Sequence, residues 1–439
     1  MQQNSIDQQI QRFWYAPVVV LILLSFLLLF PILNTDAFLE PDSQSYIDAG
    51  SAFWSTGFYS RDGVTPELFR TPGYTLLTPL AIFRWEDGQF FSIMLFILQV
   101  GLRAGVVLLV LNFAKGHKIL LSKRGAWLAA WLIATDVPSA ISSLIILSES
   151  LSASFLFIGF YCFYMWGTQR DTGPKWLVAS ALILGYATLI RPGNLLVPFI
   201  LTAGMLLAYW LIYTVLQRKT FIRQLAIFLL IANLLPALWI ARNYAHTGEI
   251  ILSLKSSELL YFYRAASIEA QLTNRTFTDV ITEYRAKEHA YQQENQKTIW
   301  VHAERWSNNG QQMILAHPDV MLKLAVKGLA MNMLGTSLSK AQEIERHYNW
   351  PGKIFSTTLS VFILGTLTVM YASILVAIYR CRGDREALYI IGLCILITLA
   401  LVLPSSGIES YSRFRVPAMP FLCLAAGFAL TRWERQSTL

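Results

Sequence analysis

The sequence has too little charge for a water-soluble protein of its length. Only 14% of its 439 residues are Asp, Glu, Lys or Arg, whereas 55% are hydrophobic and the mean hydropathy is +0.47. Soluble domains carry about 25% charged residues, which they need to cover their surface. The composition therefore predicts a protein that is embedded in a lipid bilayer.

Other features are scarce or missing, and each excludes a class of function. Four cysteines, which we place within spans or on the cytoplasmic side, predict no disulfide framework. The sequence contains no glycine-rich nucleotide-binding loop, and its net charge of +8 forms no basic stripe, so neither a nucleotide fold nor a nucleic-acid partner is expected. Five of the six histidines fall in 244–353, but their spacing specifies no metal site, and no cofactor is predicted.

Long apolar runs, in contrast, are frequent. A transmembrane helix needs about 20 mostly apolar residues. Runs of this size are found at about 15–33, 90–113, 125–141, 148–167, 176–190, 194–216, 221–242, 354–379, 386–404 and 416–432. The expected fold is an all-α polytopic membrane protein with about ten transmembrane helices, interfacial helices in the first outer loop and a long outer loop.

The positions of Lys and Arg predict which side of the membrane each loop occupies. With the N-terminus in the cytoplasm, the inner connections and tail hold 15 Lys and Arg, whereas the first outer loop has three Arg and eight acids. Both termini are therefore expected in the cytoplasm. The chain divides into a transmembrane region (1–243) with its first outer loop (34–89), a long and mostly helical outer segment (244–353), and C-terminal transmembrane helices (354–439).

Both outer segments are longer than simple connections need to be, which is typical of functional loops. Apolar residues at helical spacing predict an amphipathic helix over 43–59, followed by a turn at 70–74. The outer segment is polar and helix-prone over 257–308, and it becomes more apolar over 319–334, where we predict a surface or re-entrant helix.

Charged residues recur at the outer ends of the predicted spans. A charge near the centre of the membrane is energetically costly, so it needs a partner, a water-filled cavity or access to the interface. Acids and arginines of this kind are Asp42, Asp136, Glu149, Arg191, Arg242, Arg413 and Arg415. Any one of them can simply anchor a helix, and Asp136 can equally cap one; for Arg103, inside the second span, structural pairing or snorkelling is favoured. As a group, guanidinium side chains beside a membrane suit the phosphate of a lipid substrate.

Several short motifs are similar to a known family. Residues 40–46 (Glu-Pro-Asp-Ser-Gln-Ser-Tyr), 57–59 (Gly-Phe-Tyr) and 70–74 (Arg-Thr-Pro-Gly-Tyr) follow one N-terminal span and resemble the start of GT-C glycosyltransferases. The branch that they resemble includes protein O-mannosyltransferases and the lipid A aminoarabinose transferase. Further motifs at 148–150, 191–192, 242–244 and 413–417 resemble bacterial members of that branch.

The resemblance implies an enzyme of the cell envelope, in the bacterial inner membrane. It would transfer a sugar from a polyprenyl-phosphate-linked donor to a glycolipid, glycan or protein acceptor on the periplasmic or outer face. Asp42 would be the base and Glu149 a second acid. The other site residues would be Tyr46, Arg70, Tyr74, Arg191, Arg242, Arg413 and Arg415. The arginines would contact the donor phosphate, and the tyrosines would shape the pocket.

One residue departs from the family pattern: Ser43 stands where the pattern has a second acid next to the first. For Asp42 there is also a structural alternative, since Asp commonly caps the N-terminus of a helix and a helix is predicted from Ser43.

Two other classes of membrane protein remain as alternatives. A lipid-linked glycan transporter or flippase would also have many spans and interfacial arginines, although such proteins usually show paired broken helices and internal symmetry. An O-antigen polymerase or ligase would also have a large outer loop, but it would not need an acidic loop directly after the first span.

Overall fold

The computed structural model describes residues 8–32, 39–78, 83–84, 90–91, 93–115, 120–168, 173–211, 218–295, 298–336, 338–350 and 353–431. Most of these residues are helical, which confirms the predicted all-α polytopic class. Strands β1 (Phe83–Arg84) and β2 (Phe90–Phe91) form one small antiparallel pair within the first outer loop region.

The helices of the membrane region follow the predicted apolar runs closely. They are α1 (Ala16–Ile32), α4 (Ile93–Asn112), α5 (Lys123–Ala134), α6 (Val137–Ser142), α7 (Glu149–Thr168), α8 (Lys175–Ile190), α9 (Leu196–Leu211), α10 (Arg218–Thr247), α17 (Ile354–Arg380), α18 (Arg385–Val402) and α19 (Met419–Gly427). Short 3₁₀ helices occupy Pro192–Leu195, Leu403–Ser405, Ser412–Ala418 and Phe428–Leu430. In the described part of the chain, seven helical segments are long and apolar enough to cross a membrane, and Ala16–Leu29 and Lys175–Ile190 are shorter apolar helices. The predicted number of ten spans stays a prediction.

The predicted third span, 125–141, is not one helix. The chain forms α5, leaves helical geometry at Thr135 and Asp136, and then starts α6. Proline at position 138 has no backbone N–H and suits the first turn of a new helix better than the middle of a long one. The carboxylate of Asp136 caps α6 by accepting a hydrogen bond from the Ser139 N–H at 3.1 Å.

The centre of the bundle is the last short helix, α19. All of its residues are buried, and it packs against α5, α17 and α18. A helix that is apolar on every side is stable only when it is surrounded, as α19 is here. The preceding 3₁₀ helix, Ser412–Ala418, packs against α7 and α18, so its side chains reach the end of the bundle.

The first outer loop contains two helices, α2 (Ser43–Thr56) and α3 (Pro72–Thr75). Helix α2 matches the amphipathic helix predicted over 43–59, since it buries Tyr46, Ile47 and Ala49 on one face. Gly57 ends it in the left-handed region, at φ 74°, and donates its N–H to the Phe53 carbonyl at 2.8 Å. Glycine adopts this conformation without steric cost, which explains why the helix stops there.

The outer segment is helical, as the sequence predicts. Its helices are α11 (Lys255–Glu258), α12 (Ala266–Leu272), α13 (Phe277–Asn295), α14 (Ile299–Ala316), α15 (Pro318–Leu334) and α16 (Leu338–His347), with a π-helix at Leu259–Ala265. Phe262, Tyr284 and Trp306 form a second hydrophobic core, which also includes Leu68 of the first outer loop. The two outer segments therefore pack together.

Candidate active site

Asp42 lies immediately before α2, and two arginines hold its carboxylate. Oδ1 accepts a hydrogen bond from Arg70 Nη2 at 2.7 Å, and Oδ2 accepts one from Arg413 Nη2 at 3.3 Å. In the described part of the chain this carboxylate makes no capping hydrogen bond, so the capping alternative is wrong. The Asp42 side chain is 32% exposed, which leaves one side of the carboxylate open to a ligand.

Arg70 is fixed by three side chains of the first outer loop. Besides Asp42, its Nε donates to Ser45 Oγ at 2.9 Å and its Nη1 to Tyr46 Oη at 3.2 Å. Its guanidinium also lies over the Tyr46 ring, 4.4 Å from the ring centre. The Tyr46 ring packs edge to face on Tyr74, with centres 5.1 Å apart. The predicted site residues Asp42, Tyr46, Arg70 and Tyr74 therefore form one cluster.

The turn that carries Arg70 is shaped by local contacts. The buried Glu67 carboxylate accepts hydrogen bonds from the backbone N–H groups of Phe69 at 2.6 Å and Arg70 at 2.8 Å. A side chain at Gly73 would meet the backbone of Leu189 and Ile190 at 2.5 Å, so only glycine fits. This close approach fixes the turn against the end of α8, which is followed directly by Arg191.

Glu149 forms the second part of the site. Its Oε1 lies 2.8 Å from Arg191 Nη1 and 3.9 Å from Arg413 Nε, and its side chain is only 5% exposed. Arg191 and Arg413 both lie over the ring of Phe414, at 5.4 and 5.2 Å from its centre. Arg413 therefore contacts both acids and joins Glu149 and Arg191 to the cluster around Asp42.

Contacts between loops explain why Asp42 and Glu149 meet. Ser43 Oγ donates a hydrogen bond to the Ile146 carbonyl at 2.9 Å and accepts one from the Glu40 N–H at 2.9 Å. Tyr46 Oη lies 3.4 Å from Ser148 Oγ. The start of α2 is thus attached to the chain segment that immediately precedes Glu149.

The charges around Asp42 determine its protonation. Burial alone would raise the pKa of the Asp42 carboxyl, but the positive charges of Arg70, Lys255 and Arg413 outweigh burial and lower the pKa to about 2. Burial likewise opposes the charge of Arg70, yet its interactions with Tyr46 and Asp42 raise its pKa. Asp42 is therefore a carboxylate at any physiological pH.

Of the seven predicted site residues other than the two acids, two lie outside the cluster around Asp42. Arg242 donates to the backbone carbonyls of Glu67 at 3.0 Å and Tyr59 at 2.9 Å, and so it holds the first outer loop on α10. Arg415 is fully buried. Its guanidinium donates to the carbonyls of residues 332, 333 and 335 at 3.0, 2.7 and 3.2 Å, which holds the end of α15 against the bundle.

Arg103 and Asp136 have structural contacts. The Nη2 of Arg103 donates to the Ile133 carbonyl at 2.7 Å and to the Asp136 carbonyl at 2.9 Å, across the break between α5 and α6. Asp136 caps α6 with its carboxylate. Both observations favour the structural alternatives for these residues, namely pairing for Arg103 and capping for Asp136.

Three residues beside the cluster are not among the predicted site residues. Ser45 orients Arg70, and Lys255 of α11 adds a positive charge near Asp42. Lys340 of α16 forms an ion pair with Glu40 at 3.0 Å. Lys255 and Lys340 belong to the outer segment and lie more than 200 residues from Asp42 in the sequence, so spacing could not have indicated them.

The acids of the site lie beside guanidinium groups. Among the residues that the structure describes, no three His, Cys, Asp or Glu side chains form a group that could hold a metal ion. The two acids of the site already face guanidinium groups, and Arg413 lies between them. A cation at that point would meet the charges of three arginines.

Comparisons with known proteins give a likeness of structure only. No family model and no curated protein matches the chain. One similar structure is the archaeal oligosaccharyltransferase AglB from Archaeoglobus fulgidus, solved with an inhibitory peptide and a dolichol-phosphate. It superposes on this chain with a TM-score of 0.51 and 13% sequence identity. The match covers 96% of this chain and 50% of AglB. The A. fulgidus oligosaccharyltransferase complex with zinc and sulfate gives 0.50 at 15% identity, over 93% of this chain and 48% of that one. Its apo form gives 0.51 at 14% identity, over 95% and 50%.

The chain therefore spans about half the length of these solved structures. Because the identity is low, the likeness concerns the arrangement of helices and carries no residue roles. The chain shares the fold of that half of an archaeal oligosaccharyltransferase.

Proposed function

We propose that this chain is a GT-C glycosyltransferase that takes a sugar from a polyprenyl-phosphate-linked donor. One observation carries the proposal. Asp42, an acid with an open side, is held between the guanidinium groups of Arg70 and Arg413 at one end of a membrane helix bundle. An acid that can accept a proton and cations that can bind an anionic leaving group are the two parts that such a reaction requires.

In the proposed reaction, Asp42 acts as the base. A hydroxyl group of the acceptor attacks the anomeric carbon of the donor sugar as the bond from that carbon to the phosphate oxygen breaks. The electron pair of this bond leaves with the lipid phosphate, and the hydroxyl proton moves to Asp42. Direct displacement inverts the anomeric centre. Proton acceptance of this kind typically contributes about 10²–10⁴-fold to the rate.

Binding of the donor would also make Asp42 a better base. A carboxylate that is paired with two arginines has little affinity for a proton, which the low pKa of about 2 expresses. When the donor phosphate draws Arg70 and Arg413 towards itself, Asp42 loses part of this charge compensation and its pKa rises. The same guanidinium groups then stabilise the charge that develops on the leaving phosphate.

Glu149 and Arg191 complete the site in this proposal. The Arg191–Glu149 ion pair at 2.8 Å and the contact of Arg413 with both acids keep Arg413 directed towards the reacting centre. No step is assigned to a metal ion, because the acids face guanidinium groups rather than an open ligand set. The arginines take over the electrostatic function that a cation would have.

The remaining parts of the proposal concern substrates and orientation. A dolichol-phosphate and a peptide are bound in one of the similar oligosaccharyltransferase structures, which supports a lipid-linked donor here. The acceptor is a glycolipid, a glycan or a protein. We place the site on the periplasmic face of a bacterial inner membrane, with both termini in the cytoplasm, because Lys and Arg are concentrated in the inner loops.

Mass spectrometry of surface glycolipids and glycoproteins tests the function. Cells that express the wild-type chain should contain a glycosylated product that is missing with Asp42→Asn, while the protein level in the membrane is unchanged. The matched control is Asp48→Asn, in helix α2, whose carboxylate accepts a hydrogen bond from Gln44 at 2.7 Å and forms no ion pair with an arginine among the described residues.

The same experiment separates the transferase from a transporter. A flippase relocates an existing glycolipid and creates no new glycosidic bond. An unchanged set of product masses in Asp42→Asn, with only the location of a lipid altered, would contradict the proposal.

A further inference from the structure

Lys255 begins the short helix α11, which follows residues that are bonded to the loop that carries Arg70. The two residues before Lys255 each donate a hydrogen bond to a backbone carbonyl of the first outer loop. The Leu254 N–H donates to the Leu68 carbonyl at 2.9 Å, and Ser253 Oγ donates to the Phe69 carbonyl at 2.7 Å. The start of α11 is thus attached beside the residues that lead into Arg70.

The charges of α11 act directly on the site. The positive charge of Lys255 is one of those that lower the pKa of Asp42, and the negative charge of Glu258 helps to raise the pKa of Arg70. These interactions agree with the hydrogen bonds that hold the start of α11 beside the loop of Arg70.

Lys255 is paired with the other charged residue of its own helix. Its Nζ lies 2.9 Å from Glu258 Oε2, and the two side chains are 30% and 24% exposed. A partly exposed pair three residues apart on a helix is weak, so an anion of higher charge density can displace the carboxylate. A flexible ammonium group on a four-carbon chain can then turn towards that anion.

We propose that Lys255 is a further contact for the anionic group of the lipid donor, and that Glu258 holds it away from this group until the donor binds. This inference rests on the proposed function. It assigns to the outer segment a direct part in recognising the donor phosphate, beside Arg70 and Arg413 of the membrane region. Donor affinity then depends on Lys255, which strengthens it, and on Glu258, which weakens it.

Binding of undecaprenyl phosphate to the full chain in nanodiscs of zwitterionic lipid tests the proposal, with undecaprenol as the uncharged comparison. Native mass spectrometry or tryptophan fluorescence gives the dissociation constants. We expect Lys255→Met to weaken binding of the phosphate about three- to tenfold without affecting undecaprenol, and Lys255→Arg to stay within about twofold of the wild type. Glu258→Gln should tighten phosphate binding about two- to fivefold, because Lys255 is released.

Lys287→Met is the matched control, since Lys287 forms a similar exposed pair with Glu283 at 2.6 Å on α13, in the same outer segment. It should leave both dissociation constants unchanged. Equal phosphate binding by Lys255→Met and the wild type would overturn the inference. So would a loss of affinity in Glu258→Gln as large as that in Lys255→Met, because the pair would then serve only to hold α11 in place.

The outcomes also separate this inference from the proposed function. If Arg70→Gln abolishes the preference for the phosphate but Lys255→Met does not change it, the donor site stands and the assignment of Lys255 is wrong. If the wild-type chain binds undecaprenyl phosphate no better than undecaprenol, both proposals fail.

Discussion

Arg413 and Arg415 lie two residues apart in the same 3₁₀ helix, yet they have opposite surroundings. Arg413 is 23% exposed and pairs with two carboxylates, Asp42 and Glu149. Arg415 is fully buried and donates to three backbone carbonyls at the end of α15. A phosphate can replace a carboxylate as the partner of a guanidinium group, whereas a carbonyl that loses its buried donor is left unsatisfied.

The same distinction applies to the other arginines. Arg70 pairs with Asp42 and Arg191 with Glu149, whereas Arg103 and Arg242 donate to carbonyls that join separate parts of the chain. The type of acceptor thus divides arginines that can bind a ligand from arginines that hold the fold. The predictions below test this division, from the largest expected effect to the smallest.

The largest effect is expected from Asp42→Asn. The amide keeps the shape of the side chain but cannot accept the proton, so we expect the transfer rate to fall by about 10³-fold. The melting temperature in detergent should fall only modestly, because the amide loses the ionic part of the two pairs but its oxygen can still accept a hydrogen bond from Arg70. Product formation by membranes with matched protein levels measures the effect, and a rate within tenfold of the wild type would show that Asp42 is not the base.

Replacing Arg413 and Arg415 separately tests the comparison itself. Arg413→Gln should lower activity about 10²-fold and leave the folded protein intact, since Asp42 keeps Arg70 and Glu149 keeps Arg191 as a partner. Arg415→Gln should destabilise the protein by about 3 kcal/mol, because the carbonyls of residues 332 and 335 lose this donor, while that of 333 keeps Tyr371. Thermal unfolding and activity are measured on both variants. If the two variants lost stability equally, the distinction between ligand-binding and structural arginines would be wrong.

A smaller effect distinguishes Arg70 from Arg242. In Arg70→Lys, one ammonium group cannot reach Ser45, Tyr46 and Asp42 together, and we expect about a tenfold loss in donor affinity. Arg242→Gln should instead cost about 1–2 kcal/mol of stability with less than a threefold loss in donor affinity. Donor titration and thermal unfolding on both variants check this. An Arg242 variant with the larger affinity loss would place that residue in the site.

The smallest effect concerns pH. Because the folded pKa of Asp42 lies at about 2, below its ordinary value of 3.8, the carboxylate stays charged above about pH 4 and loses its charge only as the pH falls through about 2. Its ion pairs likewise stabilise the fold fully above the unfolded pKa and weaken towards pH 2. We expect kcat/KM to vary by less than about twofold between about pH 5 and 8 on account of Asp42. A fall in kcat/KM below about pH 6, with a midpoint that shifts in Asp42→Glu, would contradict this prediction.

Much of the fold could be predicted from the sequence because it depends on runs of residues. Apolar runs locate the long helices, such as α10 and α17, and amphipathic spacing locates α2 to within a few residues of its end at Gly57. The grouping of Asp42 and Arg70 could also be predicted, since both belong to the first outer loop and to motifs that resemble one family.

The remaining features depend on contacts that no local pattern records. The sequence does not distinguish Arg413 from Arg415, because their roles are set by which acceptors lie beside them after folding. The break at Asp136 in the third apolar run follows from a single proline and its cap, which hydropathy does not detect. Lys255 lies beside the first outer loop because the two outer segments share a hydrophobic core, which includes Leu68 and Leu254.

A structure of the full chain in nanodiscs with undecaprenyl phosphate tests the central claim most directly. We predict that the phosphate lies within hydrogen-bond distance of Arg70 and Arg413, beside the open side of the Asp42 carboxylate. A phosphate bound away from these guanidinium groups, with Asp42 still fully paired to Arg70 and Arg413, would contradict the account.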